Sequence, residues 1–313
     1  MKRVAIGPAT HAPSWTWVGA ELGEHLRRWF AVSFFASLDE LPDADLILFV
    51  KALPAAGVLA RRGRTRIVYA PVDRFESEAA IEALADVAGS LDLVALHARS
   101  LGPSFARLGV RIAFVDHHLK FALDAPVPFR ESGYVVWVGG LQHVPHLLFW
   151  LERHPVPAEV KIVTDRSNRN AWVAAVALAG AMSLPLRFEP GSINGFQIIE
   201  WSEDAQAALL AECRGALDVK GPDFSQRHKP PTKGQQFVAS GIPFACNPGN
   251  AVVEYFRTVG LDVPCPSDAA RWFSRDYFDA VQRARSILLR ELSIDAVTAA
   301  YRTCFDRLLE GRG

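Results

Sequence analysis

The stretch "RHKPPTKGQQFVASGIP", Arg227 to Pro243, sets two lysines and an arginine beside a Pro-Pro pair and a short apolar segment. Its end reads as an ordinary helix stop, with Gly241 and then Pro243. Its start is less ordinary. Pro230 and Pro231 bar the helix from extending backwards. Thr232 and Gln235 form a T-x-x-Q capping box, which predicts Thr232 at the N-cap and a helix from Lys233 to about Ser240. A lysine in the first turn opposes the positive helix end by about 0.3 kcal/mol or more. Gly234 in the next place costs up to about 1 kcal/mol relative to alanine. Both residues make sense if an anion binds there: the helix N–H groups point at it, Lys233 neutralises it, and Gly234 lets it approach. Lys229 and Arg227, just upstream, are placed to close around it, and a diphosphate is the natural candidate. The alternative is a solvated basic loop.

Outward from this segment the chain alternates strand and helix. Apolar runs at 3–9, 31–37, 45–51, 66–73, 92–98 and 110–118 are separated by amphipathic stretches such as 17–30 and 76–91. Continuous apolar strands between helices imply a parallel sheet covered on both faces. "FALDAPVPFRES" (121–132) breaks the pattern with prolines and charges and suits a linker. The alternation then restarts with "YVVWVGG" (134–140), "EVKIVTD" (159–165), "LRFEPG", "FQIIEWS" (196–202), "GALDVKGP" (215–222) and "IPFACN" (242–247), and the tail is helical. The expectation is α/β: two doubly wound Rossmann-like domains with a cleft between them and a helical C-terminal tail. The boundaries read as 1–122, 133–290 and 291–313, the last helix packing back toward the N-terminal domain. In such sheets ligands sit past the carboxyl ends of the strands.

"KPPTKGQQFVASGIPFACN" resembles the nucleotide-sugar-binding segment of GT-B glycosyltransferases of the family 4/1 type. The pattern there is P-x-K-x-x-E-x-x-A-x-G-x-P, and Pro231, Lys233, Gln236, Ala239, Gly241 and Pro243 occupy its places. "GALDVKGPDF" resembles the preceding "aD-v-P" strand, with Asp218 in the acidic position, and "IIEWSED" resembles the segment that passes the nucleotide base. The resemblance implies a metal-independent transfer of a sugar from a nucleotide-diphosphate donor, bound on the C-terminal domain, to an acceptor on the N-terminal domain. No separate cofactor is implied. Many retaining members carry two acids in this segment; the matching positions here are His228 and Gln236. Gln236 can still hydrogen-bond a ribose, and a protonated His228 can contact phosphate. The missing acids motivate two alternatives, a non-catalytic nucleotide- or sugar-binding module of the same fold and a nucleotide-sugar epimerase. Donor sugar, base, acceptor and stereochemical outcome stay open.

Other strand ends offer further candidates. Gly139 and Gly140 follow a strand, either for a tight turn or so that a diphosphate can approach the backbone. Arg166 in "TDRSNRN" has the geometry for a bidentate phosphate contact; Arg169 reads as part of a solvated loop before an Asn170 N-cap. Trp201 ends "FQIIEW", where backbone contact with a base is favoured over ring stacking. His11, after the first strand, is a candidate general base, as a histidine in that loop is in inverting members; a loop histidine bonded to backbone is the other reading. Asp73, after "RIVYAPV", is a second candidate base or a salt-bridge partner of Arg74 or its neighbours. "VDHH" (115–118) lacks metal-ligand spacing and reads as the end of the last N-domain strand.

The whole chain sets the outer bounds. It has 313 residues, 50% hydrophobic and 22% charged, with a formal net charge of +0. That size suits about two domains, and the balanced charge argues against a nucleic-acid partner. The four cysteines, Cys213, Cys246, Cys265 and Cys304, are scattered, as for reduced thiols in a cytoplasmic protein. The longest apolar run, from Ala171, is too short to span a bilayer and reads as a core helix. Weak peripheral membrane contact and the oligomeric state are left open.

Overall fold

The computed structural model describes residues 1–311, so Arg312 and Gly313, the end of the segment expected over 291–313, lie outside the described residues. The chain divides into two units. The first comprises Met1–Leu119, Asp223–Pro230 and Arg290–Gly313; the second comprises Lys120–Pro222 and Pro231–Leu289.

In the first unit the apolar runs form β1 (Arg3–Gly7), β2 (Ala31–Phe34), β3 (Leu46–Val50), β4 (Arg66–Ala70), β5 (Leu93–Leu96) and β6 (Ile112–Phe114). All neighbours are parallel, in the order β2-β1-β3-β4-β5-β6. Every residue of β3 and β5 is buried, as a parallel sheet covered on both faces requires. The strand order reverses between β1 and β3, so the switch point lies where the loop after β1 and Lys51 emerge. The helix expected over 17–30 is shorter: a π-helical turn at Thr16–Glu21 runs into a helix at Leu22–Leu26. Leu22, Leu26 and Phe30 share one core with Ile6, Leu48 and Val68.

The C-terminal helix, Ile294–Glu310, belongs to this core as well. Val297, Tyr301, Phe305, Leu308 and Leu309 recur at helical spacing and are all buried in it. Ser293 starts the helix by accepting a hydrogen bond from Ala296 N at 3.2 Å.

The second unit contains β7 (Val135–Val138), β8 (Val160–Thr164), β9 (Phe188–Glu189), β10 (Ser192–Ile193), β11 (Phe196–Glu200), β12 (Gly215–Asp218) and β13 (Phe244–Cys246), in the order β13-β12-β7-β8-β11-β10-β9. Strands β13 through β11 are parallel. "LRFEPG" does not continue the parallel sheet. Its residues form β9, one arm of an antiparallel hairpin whose other arm, β10, pairs with β11. Gly191, at φ +81°, makes the tight turn between the arms. The strand order reverses between β7 and β12, so the ends of these two strands mark this unit's switch point.

Candidate functional site

The helix of the opening segment runs Thr232–Ala239 and begins differently from the capping-box expectation. Pro231 is the N-cap and makes no side-chain cap hydrogen bond. The Pro231 carbonyl already accepts from Gln235 N at 2.9 Å. Thr232 is thereby drawn into the first helical position, where its hydroxyl is no longer placed to cap. Lys233 becomes the second helical residue. The far end is firmly held. Gly241 at φ +74° closes a Schellman motif, with Gly241 N to Val238 O and Ile242 N to Phe237 O both at 2.9 Å. Gln282 Nε2 donates to Gly241 O at 2.8 Å and Arg285 Nε to Ala239 O at 2.9 Å.

Gly234 has a structural reason that its sequence position did not reveal. A Cβ there would lie 2.7 Å from Phe256 and 3.0 Å from Phe244. Both rings are fully buried. The residue is small because the helix presses onto this aromatic cluster, which corrects the expectation that it opens the backbone to a ligand.

Lys233 points to the end of β7. Its ammonium lies 5.0 Å from the Trp137 ring centroid, and a Cβ on Gly139 would stand 2.7 Å from Lys233 Nζ and 2.4 Å from Trp137. Gly139 is therefore the residue that lets a lysine from one strand–helix crossover reach the end of another strand. The diglycine contributes fewer amide donors than expected. Gly139 N donates to Val163 O at 3.0 Å, and Leu141 N, after Gly140, donates to Asp165 Oδ1 at 2.7 Å. Gly140 is the N-cap of a short 3₁₀ turn, Leu141–His143, that leads into the helix Val144–Arg153.

The end of β12, next to β7, holds a buried ion pair not anticipated from the sequence: Lys220 Nζ sits 2.8 Å from Asp218 Oδ1. Asn247 clamps the backbone of Lys220 from both sides, accepting from its N–H at 2.8 Å and donating to its carbonyl at 2.9 Å. Asp218 Oδ2 is buried without a hydrogen-bond partner among the described residues. The signal was present in "DVK", because residues two apart on extended chain face the same side.

The remaining candidates of the second unit are Arg166, Trp201 and Gln236. Arg166 donates to Ile198 O at 3.4 Å. It lines a hollow of about 480 Å³ with Trp172, Val176 and Phe188. Asn168, not Asn170, caps the helix that follows. Trp201 is 48% exposed; its N–H continues the strand pairing to Thr164 O at 2.9 Å, and its indole donates to Gln206 at 2.8 Å. The Trp201 amide is thus committed to the sheet. Gln236 is half-buried on the Lys233 helix.

Arg227, His228 and Lys229 fall in the first unit, not in the unit of Lys233. His228 Nδ1 is 2.8 Å from Ser100 Oγ. Burial, then the charge of Arg227, lowers its pKa, which favours the neutral ring and counts against a protonated phosphate contact. Asp73 pairs with Lys51 at 2.8 Å rather than with Arg74. Both flanking backbones are unusual: Lys51 has φ +65° and Val72 φ +58°. A β-branched residue there is a true outlier, and such strain collects at functional edges. His11 is exposed on the loop after β1.

Beside Asp73 lies a group of rings that single-residue inspection passed over. His97 follows β5 and His117 follows β6; their centroids are 4.2 Å apart, and Trp17 stands 5.4 Å from His117. Burial pushes the His97 pKa down to about 4, against the opposing effects of its bond to Val115 O and the charge of Asp73. His117 is pushed well below its usual value by burial, then by His97 and His118. His118 itself is bonded to Glu21 at 2.7 Å. Among the described residues no group of three or more His, Cys, Asp or Glu side chains is arranged to hold a metal ion, and no helix is long and apolar enough to cross a membrane.

Neither a protein-family model nor a curated protein matches this sequence. Solved structures do resemble it in fold. AviGT4, a glycosyltransferase involved in avilamycin A biosynthesis, superposes with a TM-score of 0.57 at 12% identity over 99% of both chains. A trehalose-6-phosphate synthase studied for glycosyl transfer with retention gives 0.58 at 10% identity over 100% of both chains. The UDP-forming α,α-trehalose-phosphate synthase from Burkholderia xenovorans, in complex with glucose-6-phosphate, gives 0.52 at 13% identity, covering 86% of this chain and 74% of that one.

Proposed function

On the GT-B fold that this chain shares with those enzymes, we propose that it is a glycosyltransferase that takes its sugar from a nucleotide-diphosphate donor. The donor binds the second unit with its diphosphate at the switch point between β7 and β12. One observation carries the assignment: Lys233 holds its ammonium against the backbone of Gly139 at the end of β7. Lys233 is then placed to meet the negative charge that develops on the leaving diphosphate as the glycosyl C–O bond breaks and its electron pair departs with the phosphate oxygen. The acceptor hydroxyl, carried on the first unit, attacks the anomeric carbon and passes its proton to a base, for which His11 and Asp73 are the candidates. Charge compensation by lysine leaves no step that calls for a metal ion, so transfer should proceed undiminished in EDTA.

Calorimetry with UDP, GDP and their sugars tests the donor assignment. Saturable binding in the micromolar to millimolar range supports it, and no binding to any of them defeats it. A second reading, a nucleotide-binding module without transferase activity, is favoured by the segment that replaces the two acids: His228 is tied to Ser100 and Gln236 is uncharged. Tight nucleotide binding with neither transfer to a panel of acceptors nor hydrolysis of the donor would select it.

A further inference from the structure

The stretch "RRGRTR", Arg61–Arg66, holds four arginines that the candidate site does not use. It ends where β4 begins, at the amino ends of the first unit's strands, the edge opposite to that of His11 and Asp73. Asp92 and Arg111 stand just before β5 and β6. The last turn of the C-terminal helix meets them there through Arg307 and Leu308. Two hollows open at this edge, of about 420 and 470 Å³, and both are lined by Arg66. Among the described residues they hold five arginines, Arg62, Arg64, Arg66, Arg111 and Arg307, and one carboxylate, Asp92. The chain as a whole has a formal net charge of +0, so the imbalance is local.

Two of the five have a role inside the fold. Asp92 pairs with Arg62 and, at 3.0 Å, with Arg66, and it accepts from Ile67 N at 2.8 Å. Arg66 Nε also donates to Leu308 O at 3.1 Å and so satisfies a carbonyl at the end of the C-terminal helix. The one carboxylate is thereby neutralised. Arg111 and Arg307 are exposed. Both line the 420 Å³ hollow, and neither makes an ion pair among the described residues. Like charges gathered in one hollow repel one another, and a bound anion turns that repulsion into attraction. Three arginines against Asp92 leave this hollow with two positive charges in excess. A phosphate monoester carries about −1.5 to −2 at pH 7, which matches that excess better than a single carboxylate does. The guanidinium fork also meets two phosphate oxygens at once, and the volume lies in the range that small ligands fill.

We propose that Arg111 and Arg307 grip a phosphate group in this hollow, a binding site for a phosphate-bearing ligand at the amino edge of the first unit. The phosphate belongs to a free small molecule or to a lipid headgroup, and the recognition chemistry is the same for both. The site does not rest on the donor assignment, because Lys233 lies in the other unit.

The test is calorimetric titration of the full chain with sn-glycerol 3-phosphate, with glycerol as the control. A parallel arm is co-sedimentation with phosphatidylcholine vesicles, with and without phosphatidic acid. Saturable binding of glycerol 3-phosphate identifies a free ligand. Binding only to vesicles that contain phosphatidic acid identifies a headgroup. In either arm Arg111→Ala and Arg307→Ala should each weaken binding roughly tenfold, as expected for one charge-assisted contact, while Lys233→Ala leaves it unchanged. Both arginines are exposed, so the melting temperature without ligand should not move. Binding in neither arm, binding that survives both arginine substitutions, or binding lost in Lys233→Ala would each overturn the proposal.

Discussion

The two units present opposite chemistries at the same topological address. Each carries its candidate groups past the carboxyl ends of parallel strands. In the second unit the group is a cation, Lys233, set beside a residue without a side chain. In the first it is a knot of buried rings in which burial disfavours the charged form of both histidines. A charged edge suits a group that leaves with negative charge. The fold supplies the address, and the residues grafted on it decide what chemistry each edge offers.

The largest effect that separates the two edges is acid lability of the first unit. His97 titrates near 4 in the folded protein and near 6.5 when unfolded. Between those values the unfolded chain binds the extra proton, so stability falls as pH drops through this window. The loss from His97 alone approaches about 3 kcal/mol at pH 4. Urea unfolding followed between pH 7 and 4 checks it. A first-unit transition that does not move with pH would mean that His97 takes its proton in the folded state without cost.

Next comes Gly234→Ala, which tells packing from ligand access. If the glycine is small because of Phe256 and Phe244, the new methyl overpacks the site, costs about 1–3 kcal/mol and outweighs the helix-propensity gain of up to about 1 kcal/mol. Thermal unfolding should show a lower melting temperature. A higher one would restore the view that Gly234 faces an open anion site.

Smallest is Asp73→Asn. The Lys51–Asp73 pair is about one-third exposed on both sides, so breaking it should change stability by less than about 1 kcal/mol. Transfer should fall at least about a hundredfold if Asp73 is the base. Unchanged transfer with an accepted substrate would move that role to His11.

Much of the fold was legible because buried parallel strands announce themselves as continuous apolar runs: β3 and β5 need no partner to be recognised. The hairpin β9–β10 was harder. Its arms are two residues each, too short for any period to show. At the site, Lys233 could be placed near a helix start from Pro230 and Pro231, yet the cap went to Pro231, because a backbone carbonyl satisfied the helix before Thr232 could. Gly234 was misread for a related reason: Phe244 and Phe256 meet it only after folding. The ring cluster was hidden for the same cause. Trp17, His97 and His117 come from three distant segments, and only the neighbouring of β5 and β6 brings the two histidines together.

The most direct test of the central claim, that Lys233 marks a diphosphate site, is calorimetric titration of the wild type and Lys233→Ala with UDP and GDP. The account predicts that the wild type binds at least one of them. The variant should lose about ten- to a hundredfold in affinity, the worth of one charge-assisted contact, with its melting temperature unchanged. Equal affinity in the two proteins would contradict it.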